Sequence, residues 1–162
     1  MWFCPMDRFV IFPEKIHISH SMRALMNRGV YHVTLNQDFD AVIEACSRVD
    51  GRYAERGAWL GPDMMAAYKR LHDQGFAASV EVWNGATLVG GLYGVTLGRS
   101  FFGESMFSLQ PSASKLALIT LARVLQKAGG NLIDCQFETP HLKSMGGEYI
   151  GYDEYMRLIS EE

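Results

Sequence analysis

The chain has few cysteines and no spacing that would join them. Its 162 residues include three, Cys4, Cys46 and Cys135, an odd number set far apart. Disulfide frameworks and zinc fingers need paired or closely spaced ligands, so both are excluded as the basis of the fold. We therefore expect a reduced compartment and a protein held together by its apolar core.

Long apolar runs and a surplus of basic residues are also missing. No apolar segment is long enough to span a bilayer, and the first residues lack the pattern of a secretion signal. The formal net charge is −3, without the overall basic footprint of a protein that grips long nucleic acid. The sequence predicts a cytoplasmic protein with no membrane association, in which any contact with nucleic acid is local.

What is present fits one globular domain. With 162 residues, 48% of them hydrophobic and 20% charged, the chain can bury a sizeable core as a single domain over residues 1–162. Apolar positions at helical spacing predict helices after Ser19, after Asn36 and from Pro62. Asn84-Gly85 separates two runs that alternate like strands, which is the strongest short-range signal of a hairpin.

The second half of the chain extends this pattern. A strand over residues 99–108, a helix capped by Ser112 or Ser114 and a strand over residues 132–137 follow the hairpin. Helices followed by an antiparallel meander, a further helix and a further strand predict the α+β class. The hairpin's second strand contains three glycines, Gly90, Gly91 and Gly94, which predict a bulge or a close approach of another backbone or of a ligand.

A carboxylate stands inside the strand over residues 99–108. Strand alternation places Glu104 on one face with Phe102 and Met106. A carboxylate buried among such residues needs a cation or an amide as its partner, and the ammonium group of a substrate would serve. The purely structural alternative is an ion pair with an arginine such as Arg99.

A second polar pair lies in the last predicted strand. Asp134 and Gln136 are two residues apart and point the same way, whereas Ile133 and Cys135 point to the opposite layer. Because a glutamine carbonyl is a weak base, Gln136 would hold an amine in attack geometry, with Asp134 supporting it or relaying the proton. The alternative is a network that only satisfies backbone groups at the end of the strand.

Other catalytic patterns are absent. His141, Ser144 and Asp134 have no nucleophile-elbow sequence around them, so a hydrolase triad is not indicated. The loop before the helix at Ser112 lacks the glycine-rich run that would cradle the pyrophosphate of an acyl-CoA. The missing glycine-rich run argues against an acetyl-CoA enzyme without excluding the same fold.

The sequence resembles the bacterial leucyl/phenylalanyl-tRNA–protein transferase family. The matching segments cover nearly the whole chain in the family's order and include WFCP with Arg8, FPEKIHIS at 12–19, GAWL at 57–60, SVEVW at 79–83, VGGLYGV at 89–95, FGESMFS at 102–108, ASK at 113–115, LIDCQ at 132–136, and His141 with SMG at 144–146. The FGESMFS and LIDCQ segments are the most specific of these.

The resemblance implies a GNAT-like fold and an aminoacyltransferase activity. Such an enzyme moves leucine or phenylalanine, with methionine as a further candidate, from aminoacyl-tRNA to the amino terminus of proteins beginning with arginine or lysine. This is a step of the N-end rule of protein degradation, and the family needs no metal or other cofactor. The resemblance also predicts that this chain is a short form without the family's usual amino-terminal domain.

The resemblance further assigns roles to residues of this sequence. Asp134 and Gln136 would serve peptide-bond formation, Glu104 would position the substrate amine, and Trp59 would lie against the terminal adenosine. The transferred side chain would occupy an apolar pocket made by Leu92, Phe101, Met106, Leu118, Leu121, Leu125 and Ile133.

Two other functions stay open at this point. One is a non-catalytic protein that binds aminoacyl-tRNA ends or protein amino termini, with Glu104 and Asp134 as recognition groups. The other is a GNAT-like acyltransferase that uses another activated donor.

Overall fold

The architecture is known from a computed structural model that describes residues 7–49 and 61–161. Its strands are β1 (Asp7–Ile11), β2 (His32–Leu35), β3 (Ala77–Asn84), β4 (Thr87–Leu97), β5 (Ser100–Ser108), β6 (Leu132–Gln136) and β7 (Glu148–Gly151). Its helices are α1 (His20–Arg28), α2 (Phe39–Val49), α3 (Pro62–Asp73), α4 (Ala113–Lys127), α5 (Pro140–Ser144) and α6 (Tyr152–Ile159), with a 3-10 turn at Pro13–Lys15. Within the described ranges, no helix is long and apolar enough to cross a membrane.

The seven strands described form one sheet in the order β2-β3-β4-β5-β6-β1-β7. Every neighbouring pair is antiparallel except β5 and β6, which run parallel. The expected α+β class with a mostly antiparallel sheet flanked by helices is therefore confirmed. The parallel pair is short: it extends from Ser100 opposite Leu132 to Phe102 opposite Asp134, and the two strands then part.

Helices cover both faces of the sheet. Helix α4 packs on one face, where its apolar side meets β3, β4 and β5 in the largest core cluster. Helices α2 and α3 pack on the other face around Tyr93 and Phe107. A third cluster joins α6 to the β1, β6 and β7 end of the sheet through Tyr155, Val10 and Leu132.

The predicted helices and the hairpin are confirmed, and their ends follow the local chemistry of the sequence. The Ser19 side chain accepts a hydrogen bond from the Met22 N–H at 3.2 Å, and Gly29 ends α1 with φ of 64°. Helix α4 begins after Ser112 as expected, but Ser112 makes no side-chain cap bond. Instead the Ser108 Oγ accepts from the Ser114 N–H at 3.2 Å.

The glycines of β4 allow close approach within the chain itself. A Cβ on Gly90 would stand 2.5 Å from the Ala113 Cβ, so this glycine lets the first turn of α4 lie against the sheet. A Cβ on Gly94 would stand 2.3 Å from the Phe102 carbonyl oxygen. The expected close approach is confirmed, and the approaching groups are α4 and β5.

Four elements had no counterpart in the sequence prediction, namely β1, α5, β7 and α6. Strand β1 inserts between β6 and β7, with Val10 opposite Asp134 and Arg8 opposite Ile150. Helix α6 then packs on this end of the sheet. Together they surround Asp134 with side chains from both ends of the chain.

Candidate functional site

A cavity of about 200 Å³ opens where β5 and β6 part. A single water needs only about 10–15 Å³, so the cavity has room for a side chain of a substrate. Its apolar wall comes from β4, β5, β6 and α4. Six residues that the resemblance assigned to the pocket line it: Leu92, Phe101, Met106, Leu118, Leu121 and Ile133.

The two remaining residues that the resemblance assigned to substrate binding are Leu125 and Trp59. Leu125 is not among the residues that line the cavity; it packs partly buried against the main core, beside Gly130. It follows Leu118 and Leu121 on the same helix face, but one turn further on, past the end of the cavity. Its assignment to the pocket is not supported. Trp59 lies outside the described residues.

Glu104 occupies a bulge in β5. Tyr93 pairs with Ser105 and Gly94 with Gly103, so Glu104 is an extra residue between two regular pairs. The extra residue reverses the alternation, and the prediction that Phe102, Glu104 and Met106 share a face is wrong. Phe102 packs in the cluster near α6, whereas Glu104 and Met106 line the cavity.

The partners of Glu104 are neutral donors. The Tyr68 hydroxyl donates to its Oε2 at 2.9 Å. The pKa of the Glu104 carboxyl lies above its ordinary value, chiefly because the group is buried. The charge of Asp134 raises this pKa further, whereas the hydrogen bonds from Tyr68 and from the Gln136 amide lower it. The alternative of an Arg99 partner is wrong, since Arg99 contacts the Gly129 carbonyl and Glu161.

Asp134 is fully buried and lies between two donors from distant parts of the chain. The Arg8 Nη2 donates to its Oδ2 at 2.6 Å, and the Tyr155 hydroxyl donates to the same oxygen at 2.5 Å. The Arg8 guanidinium also lies 5.0 Å from the centre of the Tyr155 ring. Burial, followed by the hydrogen bond to Asp134, raises the pKa of the Tyr155 hydroxyl, so it stays a donor.

Gln136 ends β6 with a left-handed backbone. Its φ is 70°, which is uncommon for a residue other than glycine, and its backbone N–H donates to the Asp134 Oδ1 at 2.8 Å. Its side-chain Nε2 donates to the Gly103 carbonyl at 2.9 Å, across the gap where the β5 and β6 ladder has ended. Gln136 is exposed and stands beside the cavity next to Glu104, although it is not one of the lining residues.

Cys135 lies in the opposite layer, as the alternation predicted. It packs partly buried against the main core, and burial raises the pKa of its thiol to about 12. A thiol with so high a pKa is a poor nucleophile at neutral pH. Cys135 also lines the cavity, so it is both a packing residue of the core and part of the cavity wall.

Sequence reasoning missed the neighbours of these groups. His141 lines the cavity, and burial together with the charge of Lys115 lowers the pKa of its imidazole. Its Nε2 is buried and has no hydrogen-bond partner within the described part of the chain. The contact of Arg8 with Asp134 spans 126 positions, and that of Tyr68 with Glu104 spans 36, so no local pattern announces either.

The site combines an apolar cavity with a polar edge made of Glu104, Asp134 and Gln136. Across residues 7–49 and 61–161, no group of three or more histidine, cysteine, aspartate or glutamate side chains is arranged to hold a metal ion. The apolar wall can take a hydrophobic side chain, while the polar edge can orient an amine. This arrangement suits the alignment of two substrates rather than activation of a nucleophile from the protein.

Comparison with known proteins agrees with the geometry. The family model described as leucyl/phenylalanyl-tRNA protein transferase matches residues 10–160. Proteins named leucyl/phenylalanyl-tRNA–protein transferase from Syntrophus aciditrophicus and Pseudomonas fluorescens are 48% and 50% identical, over 98% and 99% of this chain and 66% and 70% of their own lengths. The chain thus spans about two thirds of the length of these curated relatives.

One solved structure is similar in fold alone. A conserved protein of unknown function from Bacteroides thetaiotaomicron aligns with a TM-score of 0.51 at 10% identity, over 85% of this chain and 53% of that protein. The sequence matches are far closer and extend across every element of the site. The chain therefore belongs to the leucyl/phenylalanyl-tRNA–protein transferase family.

Proposed function

We propose that this protein transfers leucine or phenylalanine from aminoacyl-tRNA to the amino terminus of proteins that begin with arginine or lysine. Residues 1–162 would act as one aminoacyltransferase domain, without a metal or other cofactor. The observation that supports this proposal is the position of the Glu104 carboxylate and the Asp134–Gln136 pair at the polar edge of an apolar cavity. Aminoacyl-tRNA is a cytoplasmic substrate, which favours a cytoplasmic location.

The reaction needs little from the protein beyond alignment. The free amine of the acceptor attacks the carbonyl carbon of the aminoacyl ester, a C–N amide bond forms, and the C–O bond to the ribose breaks. One proton leaves the amine and one is taken up by the ribose oxygen, so the balance is closed. Because the ester is already activated, holding the amine against it can supply a large part of the acceleration.

The residues divide this work between the two substrates. Leu92, Phe101, Leu118 and other apolar residues of the cavity would hold the transferred side chain, which explains a preference for leucine or phenylalanine over polar residues. Glu104 would hold the incoming amine through its carboxylate. Gln136 would direct the amine toward the ester, and Trp59 would lie against the terminal adenosine.

The test is transfer by the purified chain. Labelled Leu-tRNA is incubated with a peptide beginning with arginine, and the mass of the peptide is measured. We expect one added leucine, and none on a peptide whose amino terminus is acetylated. Gln136→Ala should lower the rate on the order of 100-fold, the cost of losing alignment of a reacting group. Gln126→Ala, which changes an exposed glutamine of α4, is the matched control.

A different result would favour the binding protein over the enzyme. In that case the peptide gains no residue, while a hydrolysis-resistant leucyl-adenosine still binds and Gln136→Ala leaves that binding unchanged. A titration with acetyl-CoA addresses the third alternative, since tight binding would indicate another acyl donor.

A further inference from the structure

We infer that Arg8 and Tyr155 are positioning residues, which act through Asp134 to hold Gln136 at the edge of the cavity. Neither residue is among those that line the cavity, so neither is placed to touch a substrate there. The effect on rate rests on the proposed function, whereas the effect on the placement of Gln136 is a property of the fold. The two can therefore be tested separately.

The Asp134 carboxylate is already engaged by two donors. Its Oδ2 accepts from the Arg8 Nη2 at 2.6 Å and from the Tyr155 hydroxyl at 2.5 Å, and its side chain is 0% exposed. A buried carboxylate depends on such donors for its stability. Bound in this way, Asp134 is suited to support Gln136 and is poorly placed to relay a proton from a substrate.

The other oxygen of Asp134 fixes the backbone of Gln136. The Asp134 Oδ1 accepts from the Gln136 N–H at 2.8 Å, and Gln136 has φ of 70°. A left-handed backbone is unfavourable for a residue with a Cβ, so a hydrogen bond that stabilises it also determines where its side chain points. The Gln136 Nε2 then reaches the Gly103 carbonyl at 2.9 Å, next to Glu104.

Arg8 and Tyr155 contact each other as well as Asp134. They come from β1 and α6, and the Arg8 guanidinium lies 5.0 Å from the centre of the Tyr155 ring while both donate to one oxygen. Loss of either donor leaves Asp134 free to rotate toward the other. The Asp134 Oδ1 then moves away from the Gln136 N–H.

The test compares two tyrosines of the same helix. Tyr155→Phe removes only the hydroxyl, and Tyr152→Phe makes the same change at an exposed position of α6. We expect Tyr155→Phe to lower kcat on the order of 10- to 100-fold through misplacement of a reacting group by up to about 1 Å, with an unchanged KM for Leu-tRNA. Tyr152→Phe should match the unchanged protein. An unchanged kcat in folded Tyr155→Phe would overturn the inference.

A double variant separates positioning from general damage to the fold. If Tyr155 acts through Gln136, adding Tyr155→Phe to Gln136→Ala should lower kcat no further than Gln136→Ala alone. Additive losses would overturn the inference. If Tyr155→Phe does not fold, Arg8 provides the same test: Arg8→Lys should keep more activity than Arg8→Gln, because it retains the charge facing Asp134. Equal activity of the two Arg8 variants would count against the inference.

The positioning role can also be tested by NMR, which does not require the chain to transfer an amino acid. The side-chain amide signal of Gln136 in an NMR spectrum is assigned by its loss in Gln136→Ala. It should shift in Tyr155→Phe or Arg8→Lys and stay in place in Tyr152→Phe. A wild-type protein without transfer would contradict the proposed function alone, whereas an unmoved Gln136 signal would contradict the positioning role.

Discussion

The hydroxyl of Tyr68 donates to the Glu104 Oε2 over 2.9 Å and so ties α3 to the bulge of β5. Tyr68 is buried and its ring packs edge-on against Tyr93, with ring centres 5.3 Å apart. Burial, and then the contact with Glu104, raises the pKa of the Tyr68 hydroxyl, which keeps it a donor at neutral pH. The charge of Glu104 therefore depends on a tyrosine that is fixed by packing.

Tyr68→Phe should shift the pH dependence of transfer. The hydrogen bond from Tyr68 lowers the pKa of Glu104, so its removal raises that pKa further above the ordinary value of 4.5. If the carboxylate form holds the amine, the acid limb of the rate profile moves to higher pH. Measured profiles of kcat/KM from pH 5 to pH 8, about the range in which the assay is practical, check this. If the acid limb stays at the same pH in Tyr68→Phe, Glu104 is not the group that sets the pH dependence.

Glu104→Gln should stabilise the protein at neutral pH while it lowers transfer. Glu104 has a raised pKa in the folded chain, so the folded state binds its proton more tightly than the unfolded state does. The free energy of unfolding consequently falls as pH rises from the ordinary value of 4.5 through the raised value. A glutamine keeps the acceptor for Tyr68 without the charge, in line with the trade between activity and stability at functional sites.

Thermal unfolding of both proteins tests this sign. The Tm of Glu104→Gln should exceed that of the wild type at pH 8 and approach it near pH 4, about the ordinary pKa of a glutamate. If Glu104→Gln raises the Tm by the same amount at both pH values, the gain in stability does not come from removing the charge of Glu104.

Leu121→Ala should change which amino acid is transferred, and Leu125→Ala should not. Leu121 lines the cavity and is 6% exposed, whereas Leu125 packs in the core beyond the end of the cavity. Both truncations leave a void in packed structure, at a cost of about 2–5 kcal/mol for a fully buried leucine and less for the partly buried Leu125. The larger cavity of Leu121→Ala should favour phenylalanine over leucine.

The measurement is the ratio of kcat/KM for Phe-tRNA to that for Leu-tRNA. We expect a change on the order of 10-fold in Leu121→Ala, the range that a few methylene-sized contacts provide. Leu125→Ala serves as the matched control at the next turn of the same helix. An equal change in both variants would indicate that Leu125 also contacts the transferred side chain.

Cys135 should resist alkylation in the folded protein. Burial raises the pKa of its thiol to about 12, so the reactive thiolate is scarce at pH 8, about the usual pH of such labelling. Iodoacetamide treatment followed by peptide mass mapping should leave Cys135 unmodified in the native chain and modified after denaturation. Rapid native labelling would show that the strand opens to solvent.

Much of the fold could be predicted because its signals are local. Helical spacing, the Ser19 cap and the hairpin each depend on a few neighbouring residues, and all three are confirmed. The turn lies one residue later than predicted, at Gly85 and Ala86, because Asn84 still pairs with Thr87. Strands β1 and β7 are five and four residues long and flank each other at one end of the sheet. Their length alone does not explain why they were missed, since β6 is equally short and was predicted. Strands β1 and β7 form because segments distant in sequence pair with them.

The candidate site was predicted in part for the same reason. Alternation along β6 correctly placed Ile133 and Cys135 against the main core and Asp134 against Tyr155, although all three residues line the cavity. At Glu104 it gave the wrong face for Phe102, because one extra residue reverses every position beyond it. Glycines such as Gly94 can signal a bulge in a strand, but they do not place it at Glu104. No local sequence rule would have identified the Arg8 and Tyr155 partners of Asp134.

The position of β1 between β6 and β7 affects when the chain can complete its fold during synthesis. The contact of Arg8 with Asp134 closes a loop of 126 positions, and the helix that carries Tyr155 follows Asp134 in the chain. Contacts so distant in sequence form late and slowly. The network around Asp134 can therefore assemble only after helix α6, which carries Tyr155, has been synthesised.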